Sequence, residues 1–553
     1  NTYGGLTTIG DGLLIAQGDH ALGLDTGGVA VNDPGQLELV SALIGPKLLS
    51  LNTASIRGVA LAASGDCGWA GRVVLNEIVT VNASDTLVFS GSIRGAGGLV
   101  LEGNTIEFTG TEANTYSGPT TSRCSRLTLR KPSGVAAVGA ELTVGGKAGG
   151  PHVANAVYQG QFPDSAVLTV LRSGTLLLNK EHHTASDLIM SGGLADTGLG
   201  TLEITGSIQA ISSTDDAEIQ GTLRLPRAVV TEVAAGLSPF GLRINAVIAD
   251  SPGFAGGLVK RGDGSLWLAN ANTFTGRVVV ETGSVQAAHA GALGAASGET
   301  VVENGAALVL RAPTDTLSEP LTLTGGGAGG QGALRVLAVV QNHAKVTLSH
   351  GATLNTDAAA SFLLDGALQG SGALVKIGDG VLRFAGSETN TLNGDIFVNQ
   401  GTLELDKSLQ EGAVLGNLHI GDGAGADTVR LLRPTQISFE SAVIMASSGV
   451  FDLNDRQDGI GTLEGAGLVM LGTAGSARLS LNGGADTVFA GQISGAGAND
   501  RALYLHAPGH TLTLTKPQAD ILLWTLSALA LLFAVGAGWA GAKRSALRQR
   551  IVL

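Results

Sequence analysis

The sequence predicts an all-β fold, a right-handed parallel β-helix, followed by one C-terminal transmembrane α-helix. Three observations predict it: short strand-like runs that recur in a fixed order, a composition rich in glycine and aliphatic residues but poor in aromatics, and an uncharged apolar stretch near the C-terminus.

The recurring unit is fullest from Leu368 to Ser408, and recognisable copies begin at Ile93 and Phe254. A fragment opens the chain and a partial copy begins at Ile493. Internal repetition of this kind marks a stacked architecture in which each unit buries its apolar face against the next. Within the fullest unit the runs 374–376, 381–384, 396–398 and 402–405 alternate with period two and are too short for helices. Between them stand Gly378, Asp379 and Gly380, then Gly386 and Ser387, then Asn393 and Gly394, residue types that tolerate the backbone of sharp turns. Similar runs at 174–178, 221–225 and 351–354 extend the pattern over nearly all of residues 1–515.

Composition separates a coil from its rivals. Of 553 residues 84 are glycine, 44% are hydrophobic, 4% are aromatic and 14% are charged. A disordered Gly-rich chain lacks that aliphatic content, and hairpin barrels and sandwiches usually carry more aromatic filling. A parallel coil stacks like on like, aliphatic residues inside and Asn, Thr or Ser ladders at the turns. At roughly 20–25 residues and ~4.8 Å per rung, the expected body is a rod on the order of 100 Å long.

Charge narrows the partners. The chain carries −13, and its acid-free tail holds Lys543, Arg544, Arg548 and Arg550, so residues 1–520 carry −17. Such a surface repels phosphate backbones, which argues against nucleic acid as a partner. Cys67 and Cys124 are the only cysteines. Two free thiols or a single bridge both suit them, and their surroundings carry no zinc or redox spacing. The chain opens on Asn1 with no Met and no apolar leader, so the natural protein is expected to extend upstream to a signal peptide.

With these residues in view, the sequence resembles the passenger-associated, or autotransporter-associated, β-strand repeat family of bacterial surface proteins. The resemblance is carried by Gly370-Ser371-Gly372-Ala373-Leu374, by Lys376 followed by Gly378, Gly380 and Leu382, by Asn390-Thr391-Leu392-Asn393-Gly394, and by Gly401-Thr402-Leu403. Asn114-Thr115-Tyr116-Ser117-Gly118 and Asn272-Thr273-Phe274-Thr275-Gly276 keep the aromatic that Leu392 replaces. The stretch 460–467 and then 487–493 are also typical of it. The resemblance implies a parallel β-helix displayed outside the cell at the bacterial envelope, with an adhesion, biofilm or surface-layer role. Its implied partners are glycans or proteins on a host or neighbouring cell.

Conventional members end in an outer-membrane β-barrel, whereas here residues 521–542 are an uncharged apolar run long enough to cross about 30 Å of hydrocarbon as a helix. Trp524 and Trp539 lie near its ends, and the basic residues after it place the tail, 543–553, in the cytoplasm. Residues 516–520 read as the linker between coil and helix. The arrangement resembles C-terminal sorting signals processed by a membrane protease, which makes such a protease a further expected partner. The Pro-Glu-Pro motif of those signals is replaced by Lys516-Pro517-Gln518-Ala519-Asp520.

The main alternative is a carbohydrate-active β-helix enzyme, a polysaccharide lyase or hydrolase, which requires paired carboxylates, or a calcium site beside a basic residue, gathered on one face of neighbouring coils. Asp215 and Asp216 follow Ser212, Ser213 and Thr214 and read as a polar turn. Asp452, Asn454, Asp455 and Asp458 resemble a calcium loop, but Arg456 stands where an oxygen ligand belongs and no Glu completes the set, so a solvated turn is expected. Glu181, His182 and His183 are adjacent on a strand and point to opposite faces, a poor arrangement for one ion. The sequence therefore nominates no catalytic, cofactor-binding or metal-ligating residue, and a structural or adhesive role is expected in place of catalysis.

Overall fold

Alternate residues of a β-strand face opposite sides, and burial follows that period strand after strand: Gln36–Val40 places Leu37 and Leu39 in the core and leaves Gln36, Glu38 and Val40 half-buried. In the computed structural model the described residues are 1–515, apart from 54–57, 147–149, 312–314, 499–501 and 507. They form two units, Asn1–Val278 with Gly291–Ala295, and Val279–Ala290 with residues from Ala296 onward. Both are parallel β-solenoids, as the short period-two runs predict.

In the first unit, five strands from Thr7–Ile9 to Ile93–Gly95 make one ladder. A second ladder includes Gln36–Val40, Leu61–Ser64, Val79–Phe89, Leu99–Phe108 and Thr120–Leu129, all joined in parallel. Register is held so closely that Leu37, Leu61, Val81, Leu101, Ser122, Val144, Val170, Met190, Ala210 and Val233 form one buried column. The step is 20 residues between Leu61 and Val81 and 26 between Val144 and Val170. Fully burying each Leu, Val or Met contributes about 1.5–3 kcal/mol, so the column is a main source of stability along the coils. Trp69, Phe89 and Phe108 stack in a second buried column, the two phenylalanines edge to face at 5.9 Å.

The second unit repeats the logic. Nine strands from Asp315–Leu317 to Gln492–Ser494 form a parallel sheet. Its inner column runs Val340, Phe362, Leu382, Leu403, Val429, Phe451, Val469 and Ile493, all buried. The strands expected around Gly378-Asp379-Gly380 lie at Leu374–Ile377, Val381–Phe384, Ile396–Val398 and Gly401–Leu405. Among the described residues a single 3-10 turn, Ala328–Gly330, is the whole helical content, and no helix is long and apolar enough to cross a membrane. The expected linker 516–520, helix 521–542 and tail 543–553 lie outside the described residues.

The recurring polar residues bind coil to coil. Asn114, Asn272 and Asn390, the asparagines of the Asn-Thr-x-x-Gly motif, are all buried. Each accepts a backbone N–H from the preceding coil, of Ile93, Ile248 and Leu368 respectively, and donates to a carbonyl of the following one, of Ala137, Ala292 and Ala413. The next position but one, Tyr116, Phe274 or Leu392, fills the core. The motif glycine lets backbones touch: a Cβ on Gly394 would lie 2.3 Å from the Gly372 carbonyl oxygen. Lys260 and Lys376 are fully buried, and their ammonium groups donate to turn carbonyls, Lys376 to those of Ile377, Gly378 and Gln400 at 3.0, 2.6 and 2.9 Å. An asparagine ladder, Asn32 to Asn52 to Asn76, lines one turn, as expected of stacked coils.

Cys67 and Cys124 are free thiols and buried, so of the two arrangements the sequence allows, the bridge is not formed.

Candidate functional site

A cleft in the first unit is built by what its coils leave out. The strand Val167–Leu177 bulges between Arg172 and Thr175, where its register with Asp187–Asp196 shifts. Glycines occupy the bend: Gly174 follows Ser173, and Gly192 and Gly193 follow one coil later, both at positive φ. A Cβ at Gly174 would meet the Val144 carbonyl oxygen at 2.2 Å, and one at Gly193 would meet that of Leu171 at 2.4 Å. Only glycine fits these places, and the surface there is bare backbone. The result is an open cleft of about 690 Å³ walled by Arg172, Asp215, Asp216 and Glu218.

Its charged groups are held in place. Arg172 Nε donates to Asp215 Oδ2, with both side chains about half exposed. Arg243 Nε donates to Asp216 Oδ2 at 2.7 Å, and the backbone N–H of Phe240 donates to Asp216 Oδ1 at 3.1 Å. The Arg243 guanidinium lies 4.3 Å from the centre of the Phe240 ring and 5.2 Å from that of Trp267, a cation-π arrangement that fixes its plane. Glu218 Oε1 accepts from Gln220 Nε2 at 2.8 Å and from Asn245 Nδ2. Partial burial works against ionisation of Asp216, yet the Arg243 guanidinium and the Phe240 N–H together hold its carboxyl below the usual range. A general acid for glycoside cleavage needs the opposite, a carboxyl kept protonated. The geometry is that of fixed acceptors and donors facing solvent.

Asp215 and Asp216 are therefore more than the polar turn expected of them. Their partners lie 43 and 27 residues away in sequence and become neighbours only through coiling. The paired glycines at 192–193, one coil after Ser173-Gly174, are the sequence signal that marked this bend.

The other nominated groups do not converge on a site. Asp458 corrects the solvated turn expected of 452–458: it is buried, and its carboxylate accepts the N–H groups of Gln436, Ile437 and Gly459. Burial pushes that carboxyl up to about 7. Asp452 pairs with Arg430, and Asp455 caps the N–H groups of Thr473 and Ala474. His182 bonds Thr201 Oγ1 at 2.5 Å, while His183 turns inward, stacks on Phe162 at 5.3 Å and is pushed down to about 4 by burial. The two histidines thus face opposite sides, as their adjacency predicts. No group of three metal-binding side chains occurs among the described residues.

Comparison with known proteins gives two findings. The passenger-associated-transport-repeat family matches residues 258–287 and 374–405, the segments that hold Lys260, Asn272, Lys376 and Asn390. Over 388 residues, 69% of this chain, the sequence is 27% identical to the adhesin BmaC autotransporter of Brucella suis biovar 1 (strain 1330). The aligned region is 10% of that protein, so the chain spans about a tenth of the length of the curated relative it matches. No solved structure matches the chain.

Proposed function

We propose that this chain, a carrier of passenger-associated transport repeats, is a surface-displayed adhesive stalk segment of a bacterial cell envelope, binding and not turning over its target. One observation carries the reading: the residues that recur between repeats, Asn114, Asn272, Asn390, Lys260 and Lys376, are buried, and the three asparagines and Lys376 bond from coil to coil. Recurrence in this chain thus serves length and rigidity, and leaves the outward positions of each strand to vary. Similarity to an adhesin supports contact with another surface as the use of that scaffold. The low-lying Asp216 carboxyl is not the protonated general acid that the hydrolase alternative requires. A right-handed winding is the hand that strand twist favours for parallel crossovers. In this reading residues 521–542 cross a membrane as a helix, residues 516–520 link it to the coil, and the basic tail stays in the cytoplasm.

The test is display and attachment. Antibodies against the first unit should label intact cells, and protease added outside should remove the epitope. Deleting the gene should reduce attachment to host cells or to neighbouring cells, and a soluble competitor should do the same. An epitope protected in intact cells, or attachment indifferent to the deletion, would remove the reading.

A further inference from the structure

We propose that the Arg172–Asp215–Asp216–Glu218 cleft binds an uncharged glycan chain, whose neighbouring hydroxyls bridge the fixed carboxylates and guanidinium groups. The inference rests on the adhesive reading and adds to it a ligand class and a place.

Chemistry selects the class. Asp215, Asp216 and Glu218 present acceptors and Arg172 presents donors in a cleft that Gly174 and Gly193 also line, and Arg243 stands behind it as the partner of Asp216. An apolar ligand would desolvate these groups without replacing their hydrogen bonds, which is costly for each one covered. A polyanion would meet three carboxylates on a body of net charge −17. A hydroxyl donates and accepts at once, so adjacent hydroxyls of a sugar satisfy an acceptor and a donor held side by side. Each carboxylate but one has an arginine partner: Glu218 is held by two amides, so its oxygens remain strong acceptors for hydroxyl donors.

Register adds length. Leu194, Glu218, Arg243 and Trp267 face outward in one column, each paired with the next. Successive coils lie about 4.8 Å apart, close to the length of one pyranose ring, so an extended glycan lying along the column meets one outward side chain per sugar. The Arg243 guanidinium needs no reorganisation to take part, because the Phe240 and Trp267 rings already fix it.

The experiment uses the full chain in affinity electrophoresis and calorimetry against dextran, mannan and a soluble β-glucan, with polygalacturonate and chitosan oligomers as anionic and cationic arms. The expected result is binding of at least one neutral polymer and not of polygalacturonate; chitosan, drawn to the acidic surface at large, should be released by high salt while the neutral polymer stays bound. Glu218→Gln and Arg172→Lys should each weaken it about tenfold, with unchanged circular dichroism, while Asp422→Asn in the second unit leaves it intact. No neutral binding, binding only to a charged polymer, or binding that ignores both cleft substitutions overturns the proposal. Attachment of chain-coated beads to cells is scored on the same variants. Attachment that persists without neutral glycan binding defeats the cleft alone, whereas absence of attachment defeats the adhesive reading beneath it.

Discussion

The side-chain oxygen of Asn390 accepts the backbone N–H of Leu368, twenty-two residues earlier, at 2.9 Å. Its amide donates onward to the Ala413 carbonyl, also at 2.9 Å, so one buried side chain spans three successive coils. Asn390→Ala strands a donor and an acceptor, each costing about 1–3 kcal/mol, and the expected local loss is about 2–6 kcal/mol. A solenoid need not unfold in one step, so the measurement is hydrogen exchange, site by site. The Leu368 amide should lose protection in the variant while amides of the first unit keep theirs. Unchanged protection at Leu368 would show that the bond is not holding the coil.

Lys131, Lys260, Lys376 and Lys407 share a second signature: burial pushes each ammonium down to about 8. In the unfolded chain a lysine titrates near 10.4, so between about 8 and 10.4 the unfolded state holds more protons than the folded one. Stability contributed by these groups therefore rises as pH climbs through that window. Thermal melts at pH 8 and pH 10 should show this rise in the parent. Lys376→Met should flatten it in part while lowering stability at both pH values, because three carbonyls lose their donor. An equal slope in parent and variant would refute the assignment.

Glu319 has the opposite sign. Burial, with Glu299 nearby, pushes its carboxyl up to about 8 even though Thr300 Oγ1 donates to it at 2.8 Å. The folded state then holds more protons than the unfolded one between about 4.5 and 8, and its contribution to stability falls as pH rises through that range. Glu319→Gln removes the ionisation at nearly constant shape. The variant should match the parent near pH 5 and exceed it near pH 8.5. His183, pushed down to about 4, loses stability in the acid direction, but it is common to both proteins and cancels in the comparison.

Which of these features the sequence discloses depends on the range over which each is written. Strand runs such as Val381–Phe384 and turns such as Gly378-Asp379-Gly380 are local, so period and glycine placement reveal them directly. Coil stacking is legible too, because the repeat copies the same pattern at each rung. The Lys376 burial is not: a lysine reads as surface, and its interior place is completed only when the Gln400 carbonyl arrives from the next coil to join those of Ile377 and Gly378. The cleft is hidden for a related reason. Arg172 and Asp215 meet across two coils, and the offset between coils varies: it is 18 residues between Phe451 and Val469 and 27 between Leu127 and Ala154. Side-chain partners on different coils therefore cannot be paired by counting.

Cysteine chemistry offers the simplest check of the register itself. Cys67 pairs with Leu87, Leu87 with Ile106 and Ile106 with Leu127, which puts Cys124 on a coil three steps away, about 14 Å along the stack. A disulfide needs Cα atoms within roughly 7 Å, so the two thiols cannot join without dismantling coils. Both are buried, and burial pushes the Cys124 thiol up, which withholds the reactive thiolate. Native protein should therefore react negligibly with a thiol reagent at pH 8 and release two equivalents once denaturant is added. The intact chain should also migrate identically with and without reductant. Rapid labelling of either cysteine in the folded protein, or a mobility shift on reduction, would place the coils in a different register and undo the columns that depend on it.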